Sequence, residues 1–314
     1  MKLSITTDSL GTLDFHQMLQ TAAEFGIQGL EFATGNWSPA PHLDLDKLLE
    51  SEKERKAFLT SIEDAGLEIV ALNCSGNPLA PNASGKKHRE VTEKTFKLAN
   101  MLGVETIVMM SGLPGGSPED TTPTWIITSW PPENVDVLKW QWNERLIPFW
   151  EEMVAIAEKA GIKKIALENH GAHLVYNAAT LKRLHEAVGP MVGMNLDPSH
   201  LFWMGADPRY TARELGSLIY HVHAKDVRLE QGLWQTHGFL DTQGIDKFAN
   251  RSWNYVALGH GHDLTYWKDF FSILTFEGYT GPVSLEMEDM SMNQITGVAK
   301  SLEVLKAALP HRFS

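Results

Sequence analysis

Cysteine occurs once in the 314 residues, at Cys74, so no disulfide can form within the chain and nothing points to an oxidising compartment. Positive charge is scarce: 27 Lys and Arg against 39 Asp and Glu leave a net charge of −12. A surface of that sign repels phosphate backbones and argues against a nucleic-acid partner. No apolar run approaches the roughly 18 residues a membrane span needs, and residues 1–8 hold no signal-peptide core. A convincing phosphate signature is missing too, because Gly112-Leu113-Pro114-Gly115-Gly116 is too common a loop motif to weigh. No linker or low-complexity stretch divides the chain. The expectation is a cytoplasmic globular protein with 1–314 as one domain, working on a small molecule without nucleic acid or membrane.

What is present is a repeat. A helical stretch, a glycine and a short β-rich run recur along the chain. Ala23-Glu24-Phe25-Gly26 precedes Gly29-Leu30-Glu31-Phe32-Ala33, and Asp64-Ala65-Gly66 precedes Glu68-Ile69-Val70-Ala71-Leu72. Met101-Leu102-Gly103, Lys159-Ala160-Gly161 and Phe276-Glu277-Gly278 introduce three further runs that begin at Thr106, Ile165 and Val283. Glycine just past a helix takes the left-handed conformation that closes its last turn. The stretches before it carry helical spacing: Phe15, Met18, Leu19 and Ala22 in one, Val91, Thr95, Leu98 and Leu102 in another. Ser51-Glu52-Lys53-Glu54 has the form of a capping box.

The strands are continuous apolar runs, as expected where both faces are covered. With 3–6, 192–196 and 219–223 they number eight and alternate with helices. That count favours an α/β fold of the (β/α)8 TIM barrel type over a doubly wound sheet of similar composition. Two long connections, 111–136 after strand four and about 228–262 after strand seven, would rise over the C-terminal face of the barrel. Their tryptophans, Trp125, Trp130, Trp234 and Trp253, favour ordered lids over disorder.

Acids and imidazoles gather at strand ends. Strand two carries Glu31 and strand three ends at Asn73. Strand five ends Leu167-Glu168-Asn169-His170, and strand six ends Asn195-Leu196-Asp197-Pro198-Ser199-His200. Strand seven ends His221-Val222-His223-Ala224-Lys225-Asp226, and strand eight ends Ser284-Leu285-Glu286-Met287-Glu288-Asp289. A charge at the end of an apolar strand is costly unless paired or bound to metal. One such acid reads equally well as half of a salt bridge; four neighbouring strands together read as chemistry. Glu168, Asp197, His223 and Glu286 form the natural ligand set. Its oxygen-rich donors suit Mn²⁺ first, with Mg²⁺, Co²⁺ or Zn²⁺ as alternatives, and no thiolate argues for structural zinc. Open positions on such an ion would take two substrate oxygens.

These motifs resemble the xylose isomerase-like barrel superfamily, which includes sugar isomerases, ketose 3-epimerases, inosose dehydratases and endonuclease IV enzymes. The resemblance covers nearly the whole chain. It implies that Glu168, Asp197, His223 and Glu286 bind the metal, that Glu168 and Glu286 act as a catalytic acid–base pair across a substrate carbon, and that His200 contacts a substrate oxygen. Two departures stand out: Asn73 replaces the histidine many relatives carry, and Lys225-Asp226-Val227-Arg228 is closer to the inosose-dehydratase style. The insert with Leu240-Asp241-Thr242, Arg251-Ser252-Trp253 and Gly259-His260-Gly261-His262-Asp263 is similar to large subunits of enzymes that cleave 3-oxo-glycosides, including C-glycosides.

Two chemistries therefore stay open: isomerisation or epimerisation of a sugar, and β-elimination from a keto-glycoside with a small second subunit. An endonuclease would need more histidine ligands and a basic groove, and a non-catalytic sugar-binding barrel would need no metal. A homo-oligomer is ordinary for the superfamily. Lys225 reads as a substrate contact or as half of a bridge to Asp226, and Arg228 likewise. His170 and His262 are candidate substrate contacts, with His173 and His260 on the same face; His221 shares strand parity with His223. His16, His42, His88, His185 and His311 are expected on the surface.

Overall fold

The computed structural model of the chain describes residues 1–310. Ten strands form among them: β1 Lys2–Thr6, β2 Gly29–Ala33, β3 Glu68–Asn73, β4 Thr106–Met109, β5 Lys164–Glu168, β6 Val192–Leu196, β7 Ile219–Ala224, β8 Asp226–Leu229, β9 Trp253–Val256 and β10 Pro282–Leu285. Eight close into a barrel in the order β1-β10-β7-β6-β5-β4-β3-β2, a (β/α)8 fold with helices between the strands. β8 and β9 form a separate antiparallel ribbon. All five glycines of the sequence repeat have left-handed backbones, with φ from 65° at Gly26 to 83° at Gly278. At Gly66, Gly103 and Gly278 a Cβ would meet nothing within 4 Å, so glycine is needed there for its φ and not for space.

By contact density the chain gathers into two compact units. The first holds Met1–Glu31, Ile62–Glu68 and Leu196–Ser314. In it β1 runs parallel to β10 and β2, with Ser4 opposite Ser284 and Thr6 opposite Glu31. The helix Phe15–Glu24 is closed at its start by reciprocal Asp14 and Gln17 bonds of 2.9 and 3.1 Å, and it buries Met18, Leu19 and Ala22. The helix Leu264–Phe276 buries Trp267, Phe270, Phe271 and Leu274 completely. Each such side chain contributes roughly 1.5–3 kcal/mol as an upper figure.

The second unit holds Phe32–Ser61 and Ile69–Asn195. β4 and β5 pair from Thr106–Lys164 to Met109–Leu167, and β5 and β6 end level with Glu168 opposite Asn195. The helix Ala83–Leu102 starts on Asn82, whose Oδ1 accepts the Ser84 N–H at 3.0 Å. It faces the core with Thr92, Thr95, Phe96, Leu98 and Ala99, while Val91 and Leu102 are half-buried. Aromatic Phe96 thus anchors a face whose expected edge residues only flank it.

Both long connections are built. After β4, Gln141 Nε2 donates to Gly115 O (3.0 Å) and Thr124 O (2.7 Å), and Asp120 accepts from Gly116 N–H at 2.7 Å. The connection after β7 contains the β8–β9 ribbon and the helix Leu233–His237, which the sequence did not disclose. Trp253 stacks on Trp203 at 5.0 Å, Trp234 on Phe239 at 5.3 Å, and Trp125 meets Tyr176 edge-on. Trp130 alone of the four stays 74% exposed.

Several expectations need correction. His42 and His88 are buried, not superficial. His88 faces inward because its Nδ1 accepts the Asn77 N–H at 2.9 Å. His185 is half-buried with Nδ1 donating to Val192 O at 2.7 Å; His16 is exposed, and His311 lies outside the described residues. Only half of the capping box forms. Ser51 Oγ accepts from Glu54 N–H at 3.3 Å, but the Glu54 carboxylate turns to Lys47 at 2.9 Å. Among the described residues no helix is long and apolar enough to cross a membrane.

Candidate metal centre

Strand alternation sends His221 and His223 of β7 to the same face. In the first unit both rings turn Nε2 toward one fully buried carboxylate, Glu31 of β2. The distances are 2.7 Å from His221 and 3.0 Å from His223. Ser284 Oγ adds a 3.0 Å contact to His221 Nε2. The ligand atoms of this trio lie within 4.8 Å of one another and could hold an ion, yet their spacing is that of hydrogen bonds between N–H donors and a carboxylate. Burial alone would raise the Glu31 carboxyl; His223 and then His221 outweigh it and hold the group well below the usual carboxylate range.

On its other side His223 presents Nδ1 to Glu286 Oε2 at 3.0 Å. The contact is an ion pair, and Oε2 is otherwise without a hydrogen-bond partner. Glu286 follows β10 directly and is fixed by its own N–H on Ala224 O (3.2 Å) and by Met287 N–H on Ser9 Oγ (3.0 Å). Its Oε1 lies 3.2 Å from Lys225 Nζ, which also reaches Glu288 Oε2 at 2.6 Å and sits 4.4 Å over the Tyr255 ring. Burial works to raise Glu286, but Lys225 and His223 pull it below its ordinary value, so it is an ionised base. Lys225 keeps its charge: burial lowers it, and Glu286 with Glu288 more than reverses that.

Asp197 stands at the end of β6 as N-cap of the helix Pro198–Met204, accepting the Ser199 N–H at 2.8 Å. Its Oδ2 lies 3.3 Å from His200 Nε2. His200 is fully buried and its tautomer is set by its neighbours. Trp203 Nε1–H can only donate, so Nδ1 accepts from it at 3.4 Å and faces the Tyr255 hydroxyl at 3.3 Å. Burial would raise Asp197; His200, Lys225 and His223 hold it far below the usual range.

Asp197, His223, Glu286, His200 and Lys225 are thus linked in one network of contacts. Lys225 bridges Glu286 and Glu288 and not Asp226. Two other expected contacts are held elsewhere in the same unit. Arg228 is about half exposed and pairs with Glu230 at 2.7 Å. His262 donates Nδ1–H to Asp226 Oδ1 at 2.8 Å and stacks on Phe202 at 3.7 Å. In the second unit Glu168 closes β5 with 4% exposure, and His170 follows it half-buried with Nδ1 on Gly171 O. His173 is buried, accepting Gly112 N–H on Nδ1 at 3.1 Å, and Asn73 caps its own turn through Ser75 N–H at 2.8 Å. Cys74 is buried and burial pushes its thiol up to about 12, so it is no ligand.

Sequence reasoning left Glu31, Glu288 and Tyr255 out of the set. Glu31 carried a signal, a lone carboxylate inside an apolar strand; Tyr255 carried none, because only the β8–β9 ribbon brings it to His200.

The donors fit a divalent cation. Glu286 Oε2 is buried without a hydrogen-bond partner 3.0 Å from His223 Nδ1, and a cation placed there would satisfy it. Glu31 would then act as the outer carboxylate that holds His223 with Nε2–H occupied and Nδ1 facing the ion. Glu31→Gln is expected to lower Mn²⁺ affinity by about 10–100-fold. Calorimetric titration of the metal-free variant checks this, and an unchanged affinity would reduce Glu31 to a packing residue.

The profile of the xylose isomerase-like TIM barrel family matches residues 19–308. An uncharacterized Bacillus subtilis (strain 168) protein, YfiH, is 55% identical over 311 residues, covering 98% of this chain and 99% of that one. Solved structures share the fold at lower identity. The probable 3-DHS dehydratase AsbF of petrobactin synthesis from Bacillus anthracis superposes with a TM-score of 0.68 at 19% identity, covering 98% and 99% of the two chains. A D-tagatose 3-epimerase-like protein gives 0.65 at 20%, covering 98% and 96%. The IolI protein, solved with a bound zinc atom, gives 0.64 at 20%, covering 98% of each chain.

Proposed function

This chain belongs to the xylose isomerase-like TIM barrel family, and on that premise we propose that it is a divalent-metal-dependent sugar isomerase or epimerase. The observation that carries the reading is the unsatisfied Glu286 Oε2 facing His223 Nδ1 among ionised carboxylates at the barrel's strand ends. We assign Asp197, His223 and Glu286 as ligands, and take Glu168, at the end of β5, as the fourth from the family resemblance alone. A bound Mn²⁺, Mg²⁺, Co²⁺ or Zn²⁺ would supply Lewis acidity to a substrate carbonyl and its neighbouring hydroxyl. Glu286, kept ionised by Lys225 and His223, takes the proton from the carbon beside that carbonyl, and the family resemblance implies Glu168 as its acid–base partner. His200, with Nε2 3.3 Å from Asp197 Oδ2, flanks that ligand and contacts a substrate hydroxyl. Lys225 holds Glu286 in place and offers positive charge beside the developing enediolate.

The zinc in IolI and the epimerase-like neighbour agree with this reading. Elimination from a keto-sugar is the second reading. It uses the same proton removal with a leaving group on the next carbon, and the Glu288 carboxyl, which burial raises, is a proton source for it. The test is a set of free sugars and 3-keto-glycosides in D₂O with Mn²⁺, followed by NMR. Deuterium in recovered sugar establishes isomerase chemistry; a released aglycone or an unsaturated sugar transfers the site to elimination; neither, with metal bound, sinks both.

Metal uptake has a predicted pH signature. Burial lowers His223, but Glu31 and Glu286 raise it well above the ordinary imidazole value. In the metal-free protein it is therefore an imidazolium at neutral pH and gives up the Nδ1 proton when a cation binds. Affinity should rise with pH up to that raised value, and each ion should release about one proton. Mn²⁺ titration heats that do not depend on the buffer's ionisation enthalpy would contradict this. For the metal-free fold the sign is opposite. The imidazolium's contribution to stability is complete below the ordinary histidine range and is lost as pH rises through the raised value.

A further inference from the structure

The loop that leaves β2 carries an aromatic ring that the metal centre does not use. Trp37 is 54% exposed, whereas Trp142, Trp150 and Trp267 are essentially inaccessible. An indole that served the core would be buried with them. Trp37 is nevertheless held firmly. Its ring meets His173 at 5.5 Å and His88 at 6.0 Å, both in T-shaped contacts. Those imidazoles are themselves fixed, His173 by Gly112 N–H and His88 by Asn77 N–H. The Trp37 N–H donates to Ser75 O at 3.2 Å, and Asn36 Nδ2 donates to Cys74 O at 2.7 Å.

The backbone around this arrangement is strained. Asn36, Ala40 and Ala172 take left-handed φ of 67°, 49° and 60°, the only non-glycine residues to do so among those described. Two are alanines, which gain nothing locally from that conformation. Two flank Trp37, and the third precedes His173, one of its two braces. Strain of this kind persists where the surrounding structure over-determines it, and it gathers at ligand sites. The residues come from the loops after β2, β3, β4 and β5 on the barrel face that carries chemistry, except His88, which lies in the first turns of the helix Ala83–Leu102. His170 continues the row, 5.7 Å from His173 and two residues beyond Glu168.

We propose that Trp37 is a carbohydrate-stacking platform, on which the flat C–H face of a pyranose ring packs while its hydroxyl edge stays free for polar contacts. The chemical class rests on the sugar reading given above; the existence of the platform rests on the loop geometry. An indole that is braced by two fixed imidazoles and still half exposed loses little freedom when a sugar ring packs on it, which is what a stacking subsite needs.

Saturation-transfer NMR on the Mn²⁺-loaded chain tests it, with methyl β-D-glucopyranoside and 4-nitrophenyl β-D-glucopyranoside as probes. Transfer to sugar-ring protons is expected in the native chain, reduced about tenfold in Trp37→Ala and largely kept in Trp37→Phe. Mn²⁺ affinity should be equal in all three, which separates a lost platform from a lost fold. No ring-proton transfer in the native chain, or equal transfer in Trp37→Ala, overturns the platform. Transfer confined to the aryl protons overturns the pyranose assignment in favour of an aromatic group. A change of oligomeric state in Trp37→Ala by sedimentation makes the ring an interface residue and also overturns it. Deuterium exchange reports on the metal reading separately, so loss of exchange in all sugars with ring transfer intact would remove that reading and leave the platform.

Discussion

Glu286→Gln is expected to abolish most carbon-bound proton exchange while the barrel stays folded. A positioned general base contributes about 10²–10⁴ in rate, and the amide has no basic oxygen to replace it. The same change removes one anionic donor beside His223 Nδ1, so Mn²⁺ affinity should fall as well. The two effects separate at saturating metal, where the remaining loss belongs to proton transfer. Folding should tolerate the change, because Lys225 retains Glu288 at 2.6 Å and the side chain is about one-fifth exposed. The measurement is deuterium incorporation by NMR at several Mn²⁺ concentrations, beside a denaturant midpoint. A variant that exchanges at the native rate when saturated with metal would remove Glu286 from the chemistry and leave it a ligand only.

The barrel was legible because its signals are local. Five helical stretches end in a glycine that takes positive φ, each before a short, mostly apolar run, so the repeat could be counted without any knowledge of contacts. Candidate residues at strand ends stood out for the same reason: Asp197, His223 and Glu286 lie where an apolar run stops. Glu31 was seen but not used, because its role depends on two rings from a strand far away in sequence. Tyr255 and the β8–β9 ribbon were invisible. Asp226-Val227-Arg228-Leu229 and Trp253-Asn254-Tyr255-Val256 are too short for periodicity to distinguish from loop. His42 and His88 were misjudged by a rule about composition. A histidine among lysines on a helix looks superficial, yet one helical face turned His88 inward to a backbone N–H.

The ribbon matters because of what anchors it, and Asp226→Ala should show this as the largest loss of stability among these variants. Asp226 is fully buried at the start of β8. Its Oδ2 accepts the N–H groups of Gly259, Gly261 and His262, each at 3.0 Å. Its Oδ1 accepts Val227 N–H and His262 Nδ1–H, each at 2.8 Å. Gly261 has to be glycine for this approach, since a Cβ would stand 2.2 Å from Val227 O. Alanine leaves five donors without an acceptor. Each buried one costs about 1–3 kcal/mol, less where water reaches the outer turn, so a net loss of about 3–5 kcal/mol is expected. That is a large share of the roughly 5–15 kcal/mol that holds a domain folded. Urea unfolding should show a lower midpoint, and Asp226→Asn, which keeps one oxygen, should fall between alanine and the native chain. A loss below about 1 kcal/mol would mean that water satisfies the turn unaided. The consequence reaches the centre as well. Tyr255 lies in β9, paired with Val227 in the register, and its hydroxyl faces His200 Nδ1. Loosening the anchor should therefore weaken sugar turnover in Asp226→Asn even at temperatures where the variant remains folded.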